Sequence, residues 1–215
     1  MISRMLGNLI YAFLWTIGGC IFYTPFFVKR FVAQVLAGIW FYVIGFRTKV
    51  ILHNLALVFP RGSGETMEQY KQRLMALCHK NLIHYCLSFI ETLERFHWTP
   101  EVLSRRVEIL GMDYLSELMA KNKGFFVLSS HIGNWELITL IAVKTGVKLS
   151  ILTKFLRNGF WDQIWVKSRK AFGLELIRER NSGLEIARSV QRGRAVGFIL
   201  DQHTGEPHGI ESRFM

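Results

Sequence analysis

The chain has 215 residues, half of them hydrophobic, and its formal net charge at neutral pH is +11. This length is consistent with one domain and an appendage. A strongly basic chain suits anionic lipid surfaces, acidic substrates or nucleic acids. Because no nucleic-acid-binding module is recognisable and the start of the chain is apolar, we expect no nucleic-acid partner.

The low charge and apolar composition of the first 46 residues predict that they attach the chain to a membrane. Residues 5–28 carry no charge and are long enough to cross a bilayer as a helix. Residues 31–46 are also uncharged but shorter, which is typical of a re-entrant, interfacial or core-packed helix, and Pro25 separates the two. Basic Arg47 and Lys49 follow this region and indicate a cytoplasmic end.

Two other interpretations of this start remain open. It could be a buried hairpin of a soluble protein, or a leader that is cleaved near Cys20. The apolar run continues past Cys20, unlike the short core of a signal sequence. The chain has two further cysteines, Cys78 and Cys86, and the three have neither metal-binding nor redox spacing, so we interpret them as reduced thiols of a cytosol-facing protein.

The pattern of residues after position 46 predicts a helical segment followed by an α/β domain. Residues 60–65 form a loop by their Gly and Pro content, and residues 65–96 have the periodicity of a helix. Strands are then expected at 107–110, 125–130, 147–152, 174–177 and 195–200, with helices at 113–121, 134–145, 160–171 and 182–192. This alternation predicts an α/β fold, a mainly parallel sheet flanked by helices and preceded by the N-terminal membrane helix and the helical segment.

We expect three domains in this arrangement. Residues 1–46 form membrane-anchoring or interfacial helices, residues 47–104 form a helical segment, and residues 105–215 form the α/β domain.

A histidine and a glutamate lie on the turn after the strand at 125–130. His131 follows the strand directly, where open α/β sheets place reactive groups, and Glu136 follows five residues later. Imidazole is the usual general base near neutral pH, and it needs an acceptor on its second nitrogen, which Glu136 can supply. The alternative is that His131 bonds the backbone and that the helix dipole favours Glu136 in a first turn.

Other polar residues follow neighbouring strands and are expected at the same edge of the sheet. Lys154 and Arg157 follow the strand at 147–152, and Asp201 and Gln202 follow the strand at 195–200. The alternatives are a solvated turn for the two cations and a turn or helix cap for Asp201 and Gln202. A cluster of acids and histidines at 201–208 invites a metal site, but it lies in a single loop, and we expect no metal.

Several segments resemble one known family. The stretch from His131 to Glu136, with Gly133, Asn134 and Trp135 between them, resembles the signature of the late acyltransferases of lipid A biosynthesis. These lauroyl and myristoyl acyltransferases belong to the lysophospholipid acyltransferase superfamily. Residues 47–60, residues 154–158, Arg169 with residues 172–174, and residues 201–202 are similar to further blocks, in the same order over nearly the whole chain.

The resemblance implies a function and a site. It implies transfer of a fatty acyl group from an acyl carrier protein or coenzyme A thioester to a hydroxyl of a lipid A precursor. The enzyme would act at the cytoplasmic side of the bacterial inner membrane, with the thioester as co-substrate and no other cofactor. His131 and Glu136 would be the catalytic dyad, and the substrate-binding residues would be Asn134, Lys154, Arg157, Asn158, Arg169, Asp201 and Gln202.

The sequence departs from the family at its end. Family members continue through a Phe-Phe-Gly-like segment, and residues 209–215 stop as that segment begins, so we expect a C-terminally truncated chain. Two alternatives therefore stand beside the lipid A reaction: an acyltransferase for another phospho- or amino-lipid, and a non-catalytic truncated membrane protein. Reading the gene past the codon for Met215 would separate an interrupted enzyme from a remnant.

Overall fold

The structure, a computed structural model, describes residues 2–154 and 159–201. The chain forms two compact units: residues 12–98 form a helical unit, and residues 1–11 together with 99–215 form an α/β unit. Helix α1 (Ile2–Tyr23) begins in the second unit and ends in the first. The three-domain division predicted from the sequence stays a prediction.

The helical unit contains three further α-helices. Helix α2 (Phe26–Ile39) starts directly after Pro25 and continues into a π-helical turn, Trp40–Ile44. Helix α3 (Thr48–Val58) and helix α4 (Met67–Glu94) follow, and a 3₁₀ turn, Arg95–His97, ends the unit. The helix break expected at Pro25 is confirmed, because α1 ends at Tyr23 and proline cannot continue a helical hydrogen-bond ladder.

Helix α4 is the core of this unit. Its start carries a capping box, in which the Thr66 hydroxyl accepts from the Gln69 N–H and the Gln69 side chain accepts from the Thr66 N–H. Its apolar stripe packs on the small residues of α2, and the buried members of this cluster are Ala33, Ala37, Cys78, Leu82, Cys86 and Ile90. Burial raises the pKa of the Cys78 and Cys86 thiols, which is consistent with the interpretation of these cysteines as reduced thiols.

The α/β unit alternates helices and strands as predicted. After helices α5 (Pro100–Arg106) and α6 (Met112–Ala120) come the following elements in chain order: β1 (Phe125–Ser129), a 3₁₀ turn (Trp135–Leu137), α7 (Ile138–Thr145), β2 (Leu149–Thr153), α8 (Gly159–Lys170), β3 (Glu175–Arg178), α9 (Gly183–Gln191) and β4 (Ala195–Ile199).

The four strands form one parallel sheet in the order β1-β4-β2-β3. Strands β2 and β4 lie in the middle and bury their first three residues each, as central strands of a covered sheet do. Gly124 allows α9 to approach the start of β1, because a Cβ there would clash with the Val190 carbonyl oxygen. The predicted α/β class with a parallel sheet and flanking helices is confirmed.

One strand prediction is wrong. Residues 107–110 form no strand: the Val107 N–H bonds the Leu103 carbonyl at the end of α5, and the Val107 carbonyl accepts from Lys144 Nζ. These bonds occupy both backbone groups of Val107, so it offers none to a neighbouring strand. Strand β1 is half-buried on one face and exposed on the other, where Phe126 is 59% exposed and Leu128 is 71% exposed.

Candidate active site

The turn after β1 presents His131 at the carboxyl edge of the sheet. Strand β1 ends at Ser129, and Gly133 has a φ of 63°, a left-handed conformation that glycine adopts without strain. This lets the chain reverse direction before the 3₁₀ turn Trp135–Leu137 leads into α7. The His131 ring is partly exposed and lies edge-on to the Trp135 ring, with the ring centroids 5.2 Å apart.

Asp201 holds His131 by two contacts. The His131 backbone N–H donates to Asp201 Oδ2 at 2.7 Å, and the ring nitrogen Nδ1 lies 2.7 Å from Asp201 Oδ1. The two residues meet because β1 and β4 are neighbours, and the Leu200 N–H extends their pairing by donating to the Ser129 carbonyl. Backbone and ring of the histidine are therefore fixed by a single carboxylate.

The protonation state of Asp201 determines what the histidine can do. Partial burial raises the pKa of this carboxyl, but hydrogen bonds from the ring and the backbone N–H of His131 outweigh it and hold the pKa below its ordinary value. Asp201 is therefore ionised at neutral pH and can only accept hydrogen bonds. In neutral His131 the shared proton must then lie on Nδ1, which leaves Nε2 as the proton acceptor.

The carboxylate that contacts the His131 ring is Asp201 and not Glu136, which the sequence predicted for this contact. Glu136, expected to bond the His131 ring, is 4% exposed, and its Oε1 accepts from the Arg169 guanidinium at 2.8 Å. Arg169 also donates to the Thr153 hydroxyl at 2.6 Å. The difference arises because the 3₁₀ turn buries Glu136 beside α8 and the end of β2, while the imidazole stays at the open edge.

The other predicted site residues fall into two groups. Asn134 lies half-buried in the turn, and Lys154 is exposed directly after β2, next to β4 in the sheet. Predicted residues Arg157, Asn158 and Gln202 lie outside the described part of the chain. Within residues 2–154 and 159–201, no group of three or more His, Cys, Asp or Glu side chains could hold a metal ion.

The sequence did not indicate the contact of Thr153 with Arg169 or that of Asp201 with His131. Thr153 is the last residue of a strand that is otherwise mostly buried, so a polar residue there was an available signal. Apolar side chains also adjoin the site: Leu128, Ile132 and Leu200 are 71%, 80% and 65% exposed. An apolar rim thus borders the paired histidine and aspartate.

The chain is similar to a known protein family and to several of its members. The model of the family described as bacterial lipid A biosynthesis acyltransferase matches residues 2–215. Lipid A biosynthesis acyltransferase 2 of Shigella flexneri is 25% identical over 199 residues, covering 91% of this chain and 61% of that protein.

Two proteins of Escherichia coli strain K12 are also similar. The lipid A biosynthesis myristoyltransferase is 24% identical over 73% of this chain and 46% of its own length. The lipid A biosynthesis lauroyltransferase is 26% identical over 42% of this chain and 28% of its own length. The chain thus spans less than two thirds of the curated relatives that it matches. Since the family model covers it almost from end to end, the chain belongs to the bacterial lipid A biosynthesis acyltransferase family.

Proposed function

We propose that this chain transfers a fatty acyl group from an acyl thioester to a hydroxyl of a lipid A precursor, with His131 as general base. The observation that carries the proposal is the His131–Asp201 pair at the carboxyl edge of a parallel sheet. The family and the printed names of the relatives support the reaction class and the lipid A acceptor.

The pair suits direct acyl transfer without a covalent enzyme intermediate. His131 Nε2 takes the proton of the acceptor hydroxyl as that oxygen attacks the thioester carbonyl carbon. Asp201 stabilises the imidazolium that forms. When the tetrahedral intermediate collapses, the carbon–sulfur bond breaks, the thiolate takes the proton from the imidazolium, and the new ester remains on the lipid.

Glu136 and Arg169 act as positioning residues in this proposal. Their buried ion pair links the turn that carries His131 to α8, and the Arg169–Thr153 bond links both to the end of β2. Three elements that frame the reacting edge are thereby held at fixed distances. Backbone N–H groups of the turn then stabilise the oxyanion.

The remaining predicted residues bind the substrates. Lys154 and Arg157 hold phosphate of the acceptor or donor, and Asn134, Asn158 and Gln202 supply hydrogen bonds. The apolar rim of Leu128, Ile132 and Leu200 gives the fatty chain a surface on which to leave water. The donor is an acyl carrier protein or coenzyme A thioester, and the protein works at the cytoplasmic side of the bacterial inner membrane, where such donors are made.

A transfer assay with one histidine variant tests the proposal. The chain, with its reading frame taken to the natural stop codon, is assayed for transfer of a labelled acyl group from an acyl carrier protein to a lipid A precursor. His131→Gln is expected to lower kcat on the order of 10²–10⁴-fold, the usual contribution of a general base. His84→Gln, an exposed histidine on α4, serves as the control and should leave kcat unchanged.

Two outcomes contradict the proposal. Equal rates for the wild type and His131→Gln would remove His131 as the base. Transfer to a glycerophospholipid but not to the lipid A precursor would refute the acceptor.

A further inference from the structure

Helix α2 and the π-helical turn after it form one continuous apolar helix. Phe26–Ile44 spans 19 residues with a mean hydropathy of 1.5, and within the described residues it is the one helix long and apolar enough to cross a membrane. Helices of this kind also occur in soluble cores and in the plane of a membrane surface. What each face of the helix contacts distinguishes these cases.

The inner face of α2 packs on another helix. Lys29, Ala33 and Ala37 recur every four residues and are 6%, 0% and 0% exposed. The two alanines join the buried cluster of α4, and Lys29 forms a buried ion pair with Glu94 at the end of α4. The contact therefore runs from the start of α2 almost to the π-helical turn, and this face is unavailable to lipid.

Helix α4 is too polar to accompany α2 through hydrocarbon. Between Cys78 and Ile90, the part that packs against α2, it exposes Lys80 and His84. If α2 crossed the bilayer, it would carry these two exposed side chains to membrane depth. Ionisable groups in hydrocarbon are costly unless they face a protein interior or a water-filled cavity.

The outer face of α2 is apolar and open. Phe27, Phe31 and Val35 lie opposite the packed stripe and are 73%, 64% and 45% exposed. The exposed apolar surface continues through the π-helical turn and α3, with Tyr42, Val43, Ile44, Phe46, Val50, Leu57 and Val58. Such a contiguous patch marks an interaction surface rather than ordinary solvent-facing structure.

The charges around this face fit an anionic surface. Arg30, Arg47 and Lys49 are exposed beside it, and the first acidic residue of the chain is Glu65, beyond α3. A helix with one apolar face flanked by basic residues binds membranes that contain anionic lipids.

We propose that Phe26–Ile44 lies in the plane of an anionic membrane, with Phe27, Phe31 and Val35 inserted among the lipids, and does not cross the bilayer. Helix α4 then stays on the aqueous side of α2, with Lys80 and His84 in water. This membrane topology does not depend on the acyl-transfer chemistry.

Labelling of single cysteines tests the topology. Cys20, the exposed native cysteine, is replaced by serine, and Tyr23→Cys and Lys49→Cys place one thiol on either side of Phe26–Ile44. A membrane-impermeant maleimide is added to intact spheroplasts or to inverted membrane vesicles. We expect both thiols to react in inverted vesicles only. The buried Cys78 and Cys86 should react only after denaturation and serve as internal controls.

Two labelling outcomes overturn the proposal. Reaction of Tyr23→Cys on one side of the membrane and Lys49→Cys on the other would show that the segment crosses. Recovery of the chain as a soluble oligomer would show that a second copy, not lipid, covers this face.

Vesicle binding tests the lipid contact directly. Purified full-length chain is floated with vesicles of phosphatidylcholine alone or with phosphatidylglycerol added. Phe27→Gln should weaken binding about ten-fold, and the anionic lipid should strengthen binding. Tyr114→Gln is the matched control, because that ring is 72% exposed but lies on α6. Equal losses in both variants, or no effect of phosphatidylglycerol, would refute insertion of this face.

Discussion

At the scale of single residues, one carboxylate fixes both the backbone and the ring of one histidine. Asp201 accepts from the His131 N–H through Oδ2 and pairs with Nδ1 through Oδ1. The sequence placed both residues after strands, and therefore at one edge, but it could not give the strand order that makes β1 and β4 neighbours. Glu136, closer along the chain, was therefore predicted to bond the ring, a contact that Asp201 makes in the structure.

The stability that Asp201 contributes should depend on pH. The hydrogen bonds from His131 hold its pKa below the ordinary value of about 3.9, so the folded state favours the ionised carboxyl. That contribution is fully present above the unfolded-state pKa and is lost as pH falls through the folded-state pKa. The difference in free energy of unfolding between the wild type and Asp201→Asn should therefore shrink below about pH 4.

Denaturant unfolding at a series of pH values measures this difference. Glu117→Gln is the control, because Glu117 is exposed in the middle of α6, and it should match the wild type throughout. A difference between wild type and Asp201→Asn that grows on acidification would contradict the assignment.

At the scale of elements, the Glu136–Arg169 pair joins parts that are distant in sequence. It connects the turn after β1 to α8, and Thr153 adds the end of β2. The sequence positions of Glu136 and Arg169 placed both residues near the site, but not in contact with each other. The partner of Arg169 depends on how α8 packs, which the sequence does not give. The same limit applies to residues 107–110, whose composition suits a strand, although the backbone of Val107 bonds Leu103 and Lys144 instead.

Removing one partner of this pair should lower the free energy of unfolding strongly, because the other partner stays buried without its counter-charge. Glu136→Gln or Arg169→Gln leaves a charge in a site where the two side chains are 5% and 11% exposed, at a cost of about 3–5 kcal/mol. The double variant should cost clearly less than the two losses added together. Denaturant unfolding of the three variants measures the coupling.

An exposed ion pair in the same unit is the matched control. Arg192 and Glu175 are 58% and 37% exposed, so Arg192→Gln should cost less than about 1 kcal/mol. Strictly additive losses for Glu136 and Arg169, or a loss at Arg192 as large as theirs, would contradict the buried-pair account.

At the scale of the molecule, the sequence predicted the class of fold and the family. The alternation of strands and helices and the apolar composition of the strands predicted the parallel sheet, because these patterns depend on burial alone. The open face of β1, with Phe126 and Leu128 exposed, could not be foreseen from its composition. In the apolar start, hydropathy predicted contact with a membrane, whereas the proposed in-plane orientation rests on the packing of α2 on α4, which the sequence did not give.

The kcat of Asp201→Asn in acyl transfer, compared with those of the wild type and Asp113→Asn, measures what the carboxylate paired with His131 contributes to the reaction. With the charge removed, the amide no longer enforces the tautomer that leaves Nε2 free, and it stabilises the imidazolium less. We predict a fall in kcat on the order of 10²–10⁴-fold for Asp201→Asn and none for Asp113→Asn. Wild-type turnover in Asp201→Asn would show that the carboxylate paired with His131 takes no part in the reaction.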